Sequence, residues 1–569
     1  MNQRMGSQSG NRRAFLAYFS SIGLSATLLP GVLWARLQER KAGRVTVEDV
    51  GQAAKVAGLE LSEEEKREMV QGVNNNLARY ESLRKIPLDN SVPLPMHFNP
   101  RVPGMSWKAG KKIFQPTKLP SVRKPANLED VAFWPVAKLA ALIRTRQVKS
   151  IELTEMFLAR LKKFNPVLNC VVTLTEELAM SQASQADLDL AAGRYRGSLH
   201  GIPWGAKDII AAKGYRTTWG AAAFQDRILN RNATVVERLT KAGAVLVAKL
   251  STGELAFGDQ WYGGRTNNPW DPTEGSSGSS AGSGAATAAG LVGFAIGTDT
   301  GGSLVSPSER CGIVGLRPTF GRVSRFGVMA AGFTLDKIGP MCRAVEDCAL
   351  VLDAIAGPDG LDLSVPEGVP FSWDAGWDFR KLRVGYAKSE FEAERQADYR
   401  RNNETTLNTL RSLGLDLRPV TLPESDLNFF IEYSERACGF DEFIRGRKDE
   451  GMKWKGHRTV LEVAHLVPAA DYLQANRVRM LLMQDMARVF NDVDVIVAPR
   501  PSLDPRRSLN PITSLTGHPV LALPNGFSAK GTPTGITIAG QIYREDWILS
   551  LAKALEAATE FHLKHPVLV

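Results

Sequence analysis

Short apolar runs alternate with amphipathic segments along most of the chain, from about Asn127 onward. The apolar runs have the length and composition of buried strands; they are VLNCVVTL, AVLVAKL, LVGFAIG, KLRVGYAK, DVDVIVAP and PVLALPNGF. Apolar residues at helical spacing predict helices over Leu128–Arg146, Ser150–Phe164, EDCALVLDAIAG and REDWILSLAKALEAATEFH. This alternation predicts one large α/β unit built around a sheet, over residues 127–569.

The residues before this unit have a different pattern. Thr46–Leu61 begins with a potential N-cap and continues with apolar residues at helical spacing. A second helix is predicted over Ser62–Ile86, because Ser62 and Glu65 form a capping box. Prolines then recur from Pro87 to Pro125, and a stretch so poor in backbone donors cannot be helix or sheet interior. We therefore expect a helical cap over residues 36–86 and a Pro-rich extended belt over residues 87–126.

The first 35 residues have the pattern of a targeting segment. Arg12 and Arg13 stand directly before an uncharged, mostly apolar stretch, which resembles a bacterial twin-arginine (Tat) signal. We expect export by this route, to the periplasm or to a membrane-anchored position facing it. The anchor would be an uncleaved stretch over residues 14–35, since Leu33-Trp34-Ala35 has a small residue at only one of the two usual positions. The alternative is an ordinary apolar helix after basic residues.

Composition removes several classes of function. The chain has 70 basic and 60 acidic residues, a net charge of +10, but no dense Lys/Arg tract, so no nucleic-acid partner is predicted. The five cysteines are odd in number and form no CxxC pair, and the seven histidines are dispersed. A disulfide scaffold or a zinc site is therefore not expected. We predict chemistry without a metal or a cofactor and leave the oligomeric state open, a dimer included.

Three segments carry candidate chemistry. The run EGSSGSSAGSGAATAAG has the composition of a linker but stands between two strand-like runs. GTDTGGS follows, and its Gly-Gly-Ser predicts a tight turn with bare backbone N–H groups and an exposed hydroxyl, as a serine nucleophile with its own oxyanion hole requires. Upstream, Lys207 lies in an apolar stretch where desolvation favours the neutral amine of a general base. Each signal alone is weak, because serines in Gly-rich turns and lysines near strand ends are usually structural or solvated.

Taken together, these segments resemble the amidase signature family. GIPWGAKD, GSSAGSG, GTDTGGS, CGIVGLRPTFGRVSRFG and LDKIGPMCRAVEDCALVLDAIAG follow in the order and spacing of that family. The likeness continues to GHPVLALPNGF and GTPTGITIAG and covers about three-quarters of the chain. It implies an α/β fold with a large mixed β-sheet covered by helices on both faces.

The resemblance also implies a Ser–cis-Ser–Lys triad. The nucleophile would be Ser303, the bridging residue Ser279 after a cis peptide bond, and the base Lys207. The oxyanion hole would be the backbone of Thr300, Gly301, Gly302 and Ser303. The run before Ser303 then becomes a turn carrying Ser279, followed by a helix of small residues packed close to the nucleophile.

The function implied is an exported amidase that hydrolyses the carboxamide C–N bond of a small molecule through an acyl-enzyme on Ser303. One alternative is a glutamine-dependent amidotransferase A-type subunit that supplies ammonia for misacylated tRNA; the export signal argues against it, because the tRNA is cytoplasmic. A second alternative is a non-catalytic scaffold that retains the fold.

The sequence departs from the family pattern beside the nucleophile. Family members usually have an Arg where this chain has Val305, and the loss removes a guanidinium expected near Asp299, so Arg310 is a candidate substitute. An aromatic set suggests an apolar acyl pocket, although these residues would more often pack in the core; it comprises Trp204, Trp219, Phe257, Trp261 and Tyr262. The cap and belt resemble the small C-type subunit of tRNA-dependent amidotransferases, which wraps the larger A-type subunit.

Overall fold

The computed structural model describes residues 45–84, 96–102, 105, 111–448, 451–500 and 505–568. The chain divides between Asp89 and Asn90 into two compact units. The twin-arginine segment and the start of the predicted cap, residues 1–44, lie outside the described residues, as do parts of the predicted belt. In the described ranges, no helix is both long enough and apolar enough to cross a membrane.

The first unit contains the two helices predicted at the N-terminus, α1 (Val47–Val56) and α2 (Glu63–Arg84), which pack against each other. Both begin with a capping box. The amide of Asp49 donates to Thr46 Oγ1 at 3.2 Å, and the amide of Ser62 donates to Glu65 Oε2 at 2.7 Å. Side-chain acceptors therefore satisfy helix amides that have no partner within the helix.

The second unit is built around a mixed sheet. Its strands, with the short outer strands included, are β1 (Phe114–Gln115), β2 (Val171–Leu174), β3 (Pro203–Lys207), β4 (Val245–Leu250), β5 (Gln260–Trp261), β6 (Gly264–Arg265), β7 (Asn267–Asn268), β8 (Asp271–Gly275), β9 (Phe294–Asp299), β10 (Val314–Arg317), β11 (Lys337–Cys342), β12 (Trp373–Asp374), β13 (Val384–Ala387), β14 (Leu417–Val420), β15 (Val495–Pro499), β16 (Val520–Phe527) and β17 (Pro533–Gly540). Within the described residues, 11 of them form one sheet in the order β14-β13-β15-β17-β16-β10-β11-β9-β3-β4-β2. Both parallel and antiparallel pairs occur in it, as in β3–β9 and β11–β9.

Helices cover this sheet on both faces. They are α3 (Val136–Arg144), α4 (Ser150–Leu168), α5 (Glu176–Ala191), α6 (Thr234–Lys241), α7 (Ala281–Ala288), α8 (Val305–Cys311), α9 (Val345–Ile355), α10 (Lys388–Ala393), α11 (Ala397–Ser412), α12 (Ser434–Gly439), α13 (Asp441–Arg445), α14 (Lys455–Ala464), α15 (Ala469–Asp492), α16 (Leu509–Thr516) and α17 (Glu545–Thr559). Alternate residues of β15 enter different apolar clusters: Val495 and Val497 one, Ile496 and Ala498 another. A strand buried on both faces reads as a continuous apolar run, which is how the sequence identified it.

One predicted helix differs in the structure. The segment Leu128–Arg146 is a 3-10 turn over Leu128–Val131 followed by α3, which begins after Pro135. Proline lacks an amide proton and pushes the residue before it out of the helical region, so the segment cannot be one helix.

The described residues of the Pro-rich stretch belong to the second unit and make backbone contacts with its other elements. Strand β1 pairs in parallel with β12, through Phe114 opposite Trp373. Farther along, the amide of Thr117 donates to Glu346, and the amide of Lys124 donates to Gln147. These contacts give a segment rich in proline the backbone partners that it cannot provide for itself.

Candidate active site

The loop after β9 is organised by the buried carboxylate of Asp299. Its oxygens accept the amides of Gly302 at 2.9 Å and Leu304 at 2.8 Å, and they also pair with the Arg317 guanidinium at 3.2 Å. Burial alone would raise the pKa of Asp299, but Arg317 and Lys337 outweigh it and hold the pKa below its usual value. Asp299 therefore stays ionised and fixes the turn that ends at the start of α8.

Lys207 ends β3 as a fully buried side chain. Its Nζ lies 2.7 Å from Ser279 Oγ and 2.9 Å from Thr298 Oγ1. Burial lowers the pKa of Lys207 to about 7, against the opposing charges of Asp299 and Asp336. A large share of the amine is therefore neutral near neutral pH, as the sequence predicted for a general base.

Ser279 and Ser303 are brought together by their backbones. The peptide bond between Gly278 and Ser279 is cis, as the resemblance implied. The amide of Ser280 donates to the carbonyl of Ser303 at 3.0 Å, and Ser303 is partly exposed while Ser279 is buried. No hydrogen bond joins the two serine hydroxyls in the part of the chain that the structure describes. The structure thus connects Lys207 to Ser279 and places the Ser303 backbone against the residue that follows Ser279.

The small-residue run forms α7, every residue of which is buried. A Cβ on Gly282 would lie 2.4 Å from the Ser251 amide nitrogen and 2.5 Å from the Cys170 carbonyl oxygen. Those atoms belong to backbone and cannot easily yield. Close approach of α7 to β2 and β4 therefore requires glycine here, and it places Ser279 against Lys207.

Three of the four expected oxyanion donors, the amides of Thr300, Gly301 and Ser303, have no hydrogen-bond partner among the described residues. The Gly302 amide is taken by Asp299. The Thr300 carbonyl accepts from Ser514 Oγ and from Lys337 Nζ. Since a trans peptide unit is planar, this carbonyl contact points the N–H of Gly301 in the opposite direction.

A cavity of about 360 Å³ adjoins this loop. Thr298, which bonds Lys207, and Thr300, which opens the oxyanion loop, are part of its lining, although Ser303 itself is not. The lining is mostly apolar and includes Ile209, Phe326, Val328, Met329, Phe333 and Ile338. The wall also contains four charged residues, Arg325, Asp336, Lys337 and Asp362, of which Arg325 and Asp362 pair with each other at 2.9 Å. The cavity therefore suits an uncharged, apolar group.

The core-packing alternative holds for two of the five aromatic residues suggested by the sequence, Trp204 and Trp219. None of the five aromatic candidates lines this cavity. Trp204 is buried in the core and stacks on Phe294, and Trp219 packs against Phe224 and Phe440. Trp204 and Trp219 are thus core residues, and much of the cavity wall comes from the segment after β10.

The expected substitute for the missing guanidinium is also corrected. Arg310 pairs with Glu274 at the surface, not with Asp299. Arg317, fully buried on β10, provides the charge and also donates to Asn510 at 2.7 Å and Thr513 at 2.7 Å. Val305 is buried in an apolar cluster. Arg317 follows Asp299 by 18 residues and lies on another strand, so the sheet brings the two side chains together.

Glu432 is another site residue that the sequence did not indicate. A Cβ on Gly301 would lie 2.7 Å from its Oε2, so the carboxylate lies over the oxyanion loop. Arg436 binds Glu432 at 3.1 Å and donates to the Leu255 carbonyl at 3.2 Å. In the described residues, no group of three or more His, Cys, Asp or Glu is placed to hold a metal.

Comparison with known proteins identifies the family. The family model described as Amidase matches residues 152–549, which is more than half of the chain. The chain belongs to the amidase family. It is 36% identical over 477 residues to the A-type subunit of the glutamyl-tRNA(Gln) amidotransferase of Methylococcus capsulatus, covering 76% of this chain and 98% of that protein. The corresponding protein of Coxiella burnetii is 34% identical over 480 residues, covering 76% and 99%.

Solved structures of the amidase family share the fold. The native peptide amidase of Stenotrophomonas maltophilia superposes with a TM-score of 0.70 at 29% identity, covering 77% of this chain and 99% of that one. The predicted α/β class, the mixed sheet with helices on both faces and the amide-hydrolase class are thereby confirmed. The sequence relatives and the structural relatives carry different names, and the choice between those activities depends on the site.

Proposed function

We propose that this amidase hydrolyses the C–N bond of a small amide bearing an apolar group, through an acyl-enzyme on Ser303. The single observation that carries the proposal is the fully buried Lys207, bonded to Ser279 beside a loop whose Gly301 and Ser303 amides have no partner among the described residues. A buried lysine whose pKa lies near 7 is a base at neutral pH, and available amides hold a developing oxyanion.

The proposed steps use only these residues. Neutral Lys207 takes the Ser279 proton as Ser279 takes the proton of Ser303, and Ser303 Oγ forms a bond to the amide carbonyl carbon. The oxyanion faces the amides of Gly301 and Ser303. Collapse breaks the C–N bond, and the relay returns the proton to the departing nitrogen. Water then attacks the acyl-enzyme by the same relay, releasing a carboxylic acid and restoring Ser303.

The apolar character of the substrate is inferred from the cavity. Its volume of about 360 Å³ is within the range of small-molecule sites. The charged side chains of its wall are already engaged. Arg325 pairs with Asp362, Asp336 accepts the amides of Ala331 and Gly332 at 2.8 and 3.0 Å, and Lys337 donates to Ser514 Oγ at 3.0 Å. A charged substrate group would have to compete with these contacts, whereas an alkyl or aryl group gains by leaving water.

A second candidate function is hydrolysis of glutamine to supply ammonia to a partner. It is favoured by the sequence relatives, which are named as the A-type subunit of a glutamyl-tRNA(Gln) amidotransferase and are covered over 98–99% of their length. Free glutamine carries an ammonium and a carboxylate group in addition to its side-chain amide. This function therefore needs an anionic and a cationic side chain in the pocket that are not already paired.

One substrate panel separates these functions. Purified protein is assayed for ammonia or amine release from glutamine and from amides of increasing acyl size, beside Lys207→Ala, Ser279→Ala and Ser303→Ala. We expect turnover of apolar amides and its loss in all three variants. Robust release from glutamine with little from other amides would replace the first function by the second. A fluorophosphonate probe that never labels Ser303 would indicate a non-catalytic scaffold.

We also propose, from the Arg12–Arg13 segment, that the protein is exported by the twin-arginine route and acts on a small-molecule amide, with no nucleic-acid partner. The scattered positive charge supports the last point, since nucleic-acid binding calls for a clustered basic surface.

A further inference from the structure

A short segment of the Pro-rich stretch reaches the cavity. Met96, His97 and Phe98 are part of the same lining as Thr298 and Thr300. We call residues 96–100 the strap. It precedes the family domain in sequence, since the Amidase model begins at residue 152, so the wall combines residues of that domain with residues outside it.

The strap is held in place by contacts of Phe98 and Pro100. The Phe98 ring packs edge-on against Phe320, with centroids 5.1 Å apart, and the buried Arg479 guanidinium lies 3.6 Å from the Phe98 centroid. Pro100 is buried beside Gly517, where a Cβ would lie 2.9 Å from Pro100 Cβ. Ring–ring and cation–π contacts stabilise an aromatic side chain beyond the free energy of its buried area. The contacts with Phe320 and Arg479 therefore fix the position of Phe98.

Arg479, which contacts Phe98, is also connected to the oxyanion loop. Arg479 donates to Thr334 Oγ1 at 2.8 Å, and Thr334 stands two residues before Asp336. Asp336 accepts a hydrogen bond of 2.6 Å from Thr300 Oγ1. The strap is therefore fixed against the same elements that hold Thr300. Met96 and His97, which directly precede Phe98, are thereby positioned in the cavity wall.

We propose that Met96 and His97 are specificity-determining residues that limit the size of the apolar group accepted by this amidase, with Phe98 as their anchor. This rests on the proposed function. Neither residue touches Lys207, Ser279 or Ser303 in the described structure, so shortening them enlarges the cavity and leaves the reacting groups unchanged. Met96 is 56% exposed, so its loss costs little in folding.

The test uses two series of amide substrates of increasing size, called ladders, one varied in the acyl chain and the other in the N-alkyl group. Each ladder is assayed with the wild type, Met96→Ala and His97→Ala. Met69→Ala, at a 39% exposed position on α2, is the matched control. We expect kcat/KM for the largest accepted substrates to rise about 10-fold or more relative to the smallest, since pocket methylenes are worth about 10–200-fold. Met96→Trp should move the ratio the other way, and the control should leave it unchanged.

Two failures can be told apart. If the wild-type protein turns over no amide and Ser303 is not labelled by a fluorophosphonate, the proposed function fails. If the wild type is active but neither ladder changes in Met96→Ala and His97→Ala, the strap proposal is overturned while the function stands. Melting temperatures close to the wild-type value would show that any change in ratio comes from the pocket.

Discussion

At the scale of single residues, the reactivity proposed for the site depends on burial. Lys207 has no exposed surface, and its pKa is lowered to about 7 because the ammonium form cannot be solvated. Only the neutral form can accept a proton, so kcat/KM should be lost as pH falls through about 7 and reach a plateau above it. A profile of kcat/KM from pH 5 to 9 measures this loss at low pH, which is the acid limb of the profile.

Lys207→Ala should lower kcat by about 10²–10⁴, the usual contribution of a general base, and remove the limb near pH 7. Ser279→Ala, which breaks the 2.7 Å contact with Nζ, should lower kcat similarly. Full activity in Lys207→Ala, or an unchanged limb, would show that another group is the base.

The Arg317–Asp299 pair gives a prediction about stability. Both side chains are fully buried, so Arg317→Met leaves Asp299 charged without its main partner. Breaking a buried pair in this way costs about 3–5 kcal/mol. The matched control is Arg310→Met, because Arg310 pairs with Glu274 at a position about one-third exposed, where a pair is worth about 0–1 kcal/mol. Urea unfolding compares the two; equal losses would contradict the role given to Arg317.

At the scale of elements, α7 shows why small residues were needed. Gly282→Ala would set a Cβ 2.4 Å from the Ser251 amide nitrogen, so α7 must move away from its neighbours. Overpacking of this kind costs about 1–3 kcal/mol, and here it would also displace Ser279 from Lys207. Gly284→Ala is the control, since its nearest atom lies at 3.2 Å. We expect kcat to fall markedly only in Gly282→Ala; equal effects in both would remove the packing argument.

Helices and strands could be predicted where the burial of their residues produces a recognisable local sequence pattern. Strand β15 is buried on both faces and reads as the apolar run DVDVIVAP, and Ser62 with Glu65 mark the start of α2 directly. The helix over Leu128–Arg146 was wrong because apolar spacing outweighed Pro135 in the prediction. Period alone does not show where a helix must begin.

The candidate site could be located from the sequence as far as its motifs are local. Lys207, Ser279 and Ser303 each stand in a distinctive segment, and the structure brings those segments together. Arg317 and Glu432 were missed because each reaches the loop only through tertiary packing. The cavity wall was missed for the same reason: its apolar residues follow β10 and carry no signal that distinguishes pocket from core.

At the scale of the whole molecule, cellular location decides between the two proposed functions. A protein that supplies ammonia to a tRNA-bound substrate must remain with the tRNA, whereas the twin-arginine segment predicts export. The full chain, expressed in a bacterium with a twin-arginine system, should be recovered outside the cytoplasm. Arg12→Lys with Arg13→Lys keeps the charge but changes the pair that the export machinery reads, and it should retain the protein inside.

Fractionation with a cytoplasmic and a periplasmic marker measures this, and amidase activity in each fraction shows that the retained protein is folded. Because the double variant leaves residues 14–35 unchanged, a difference between the two chains cannot come from loss of apolar sequence. Equal cytoplasmic recovery of both chains would remove the export proposal. It would also remove the argument from location against ammonia supply, so the choice would then depend on glutamine turnover alone.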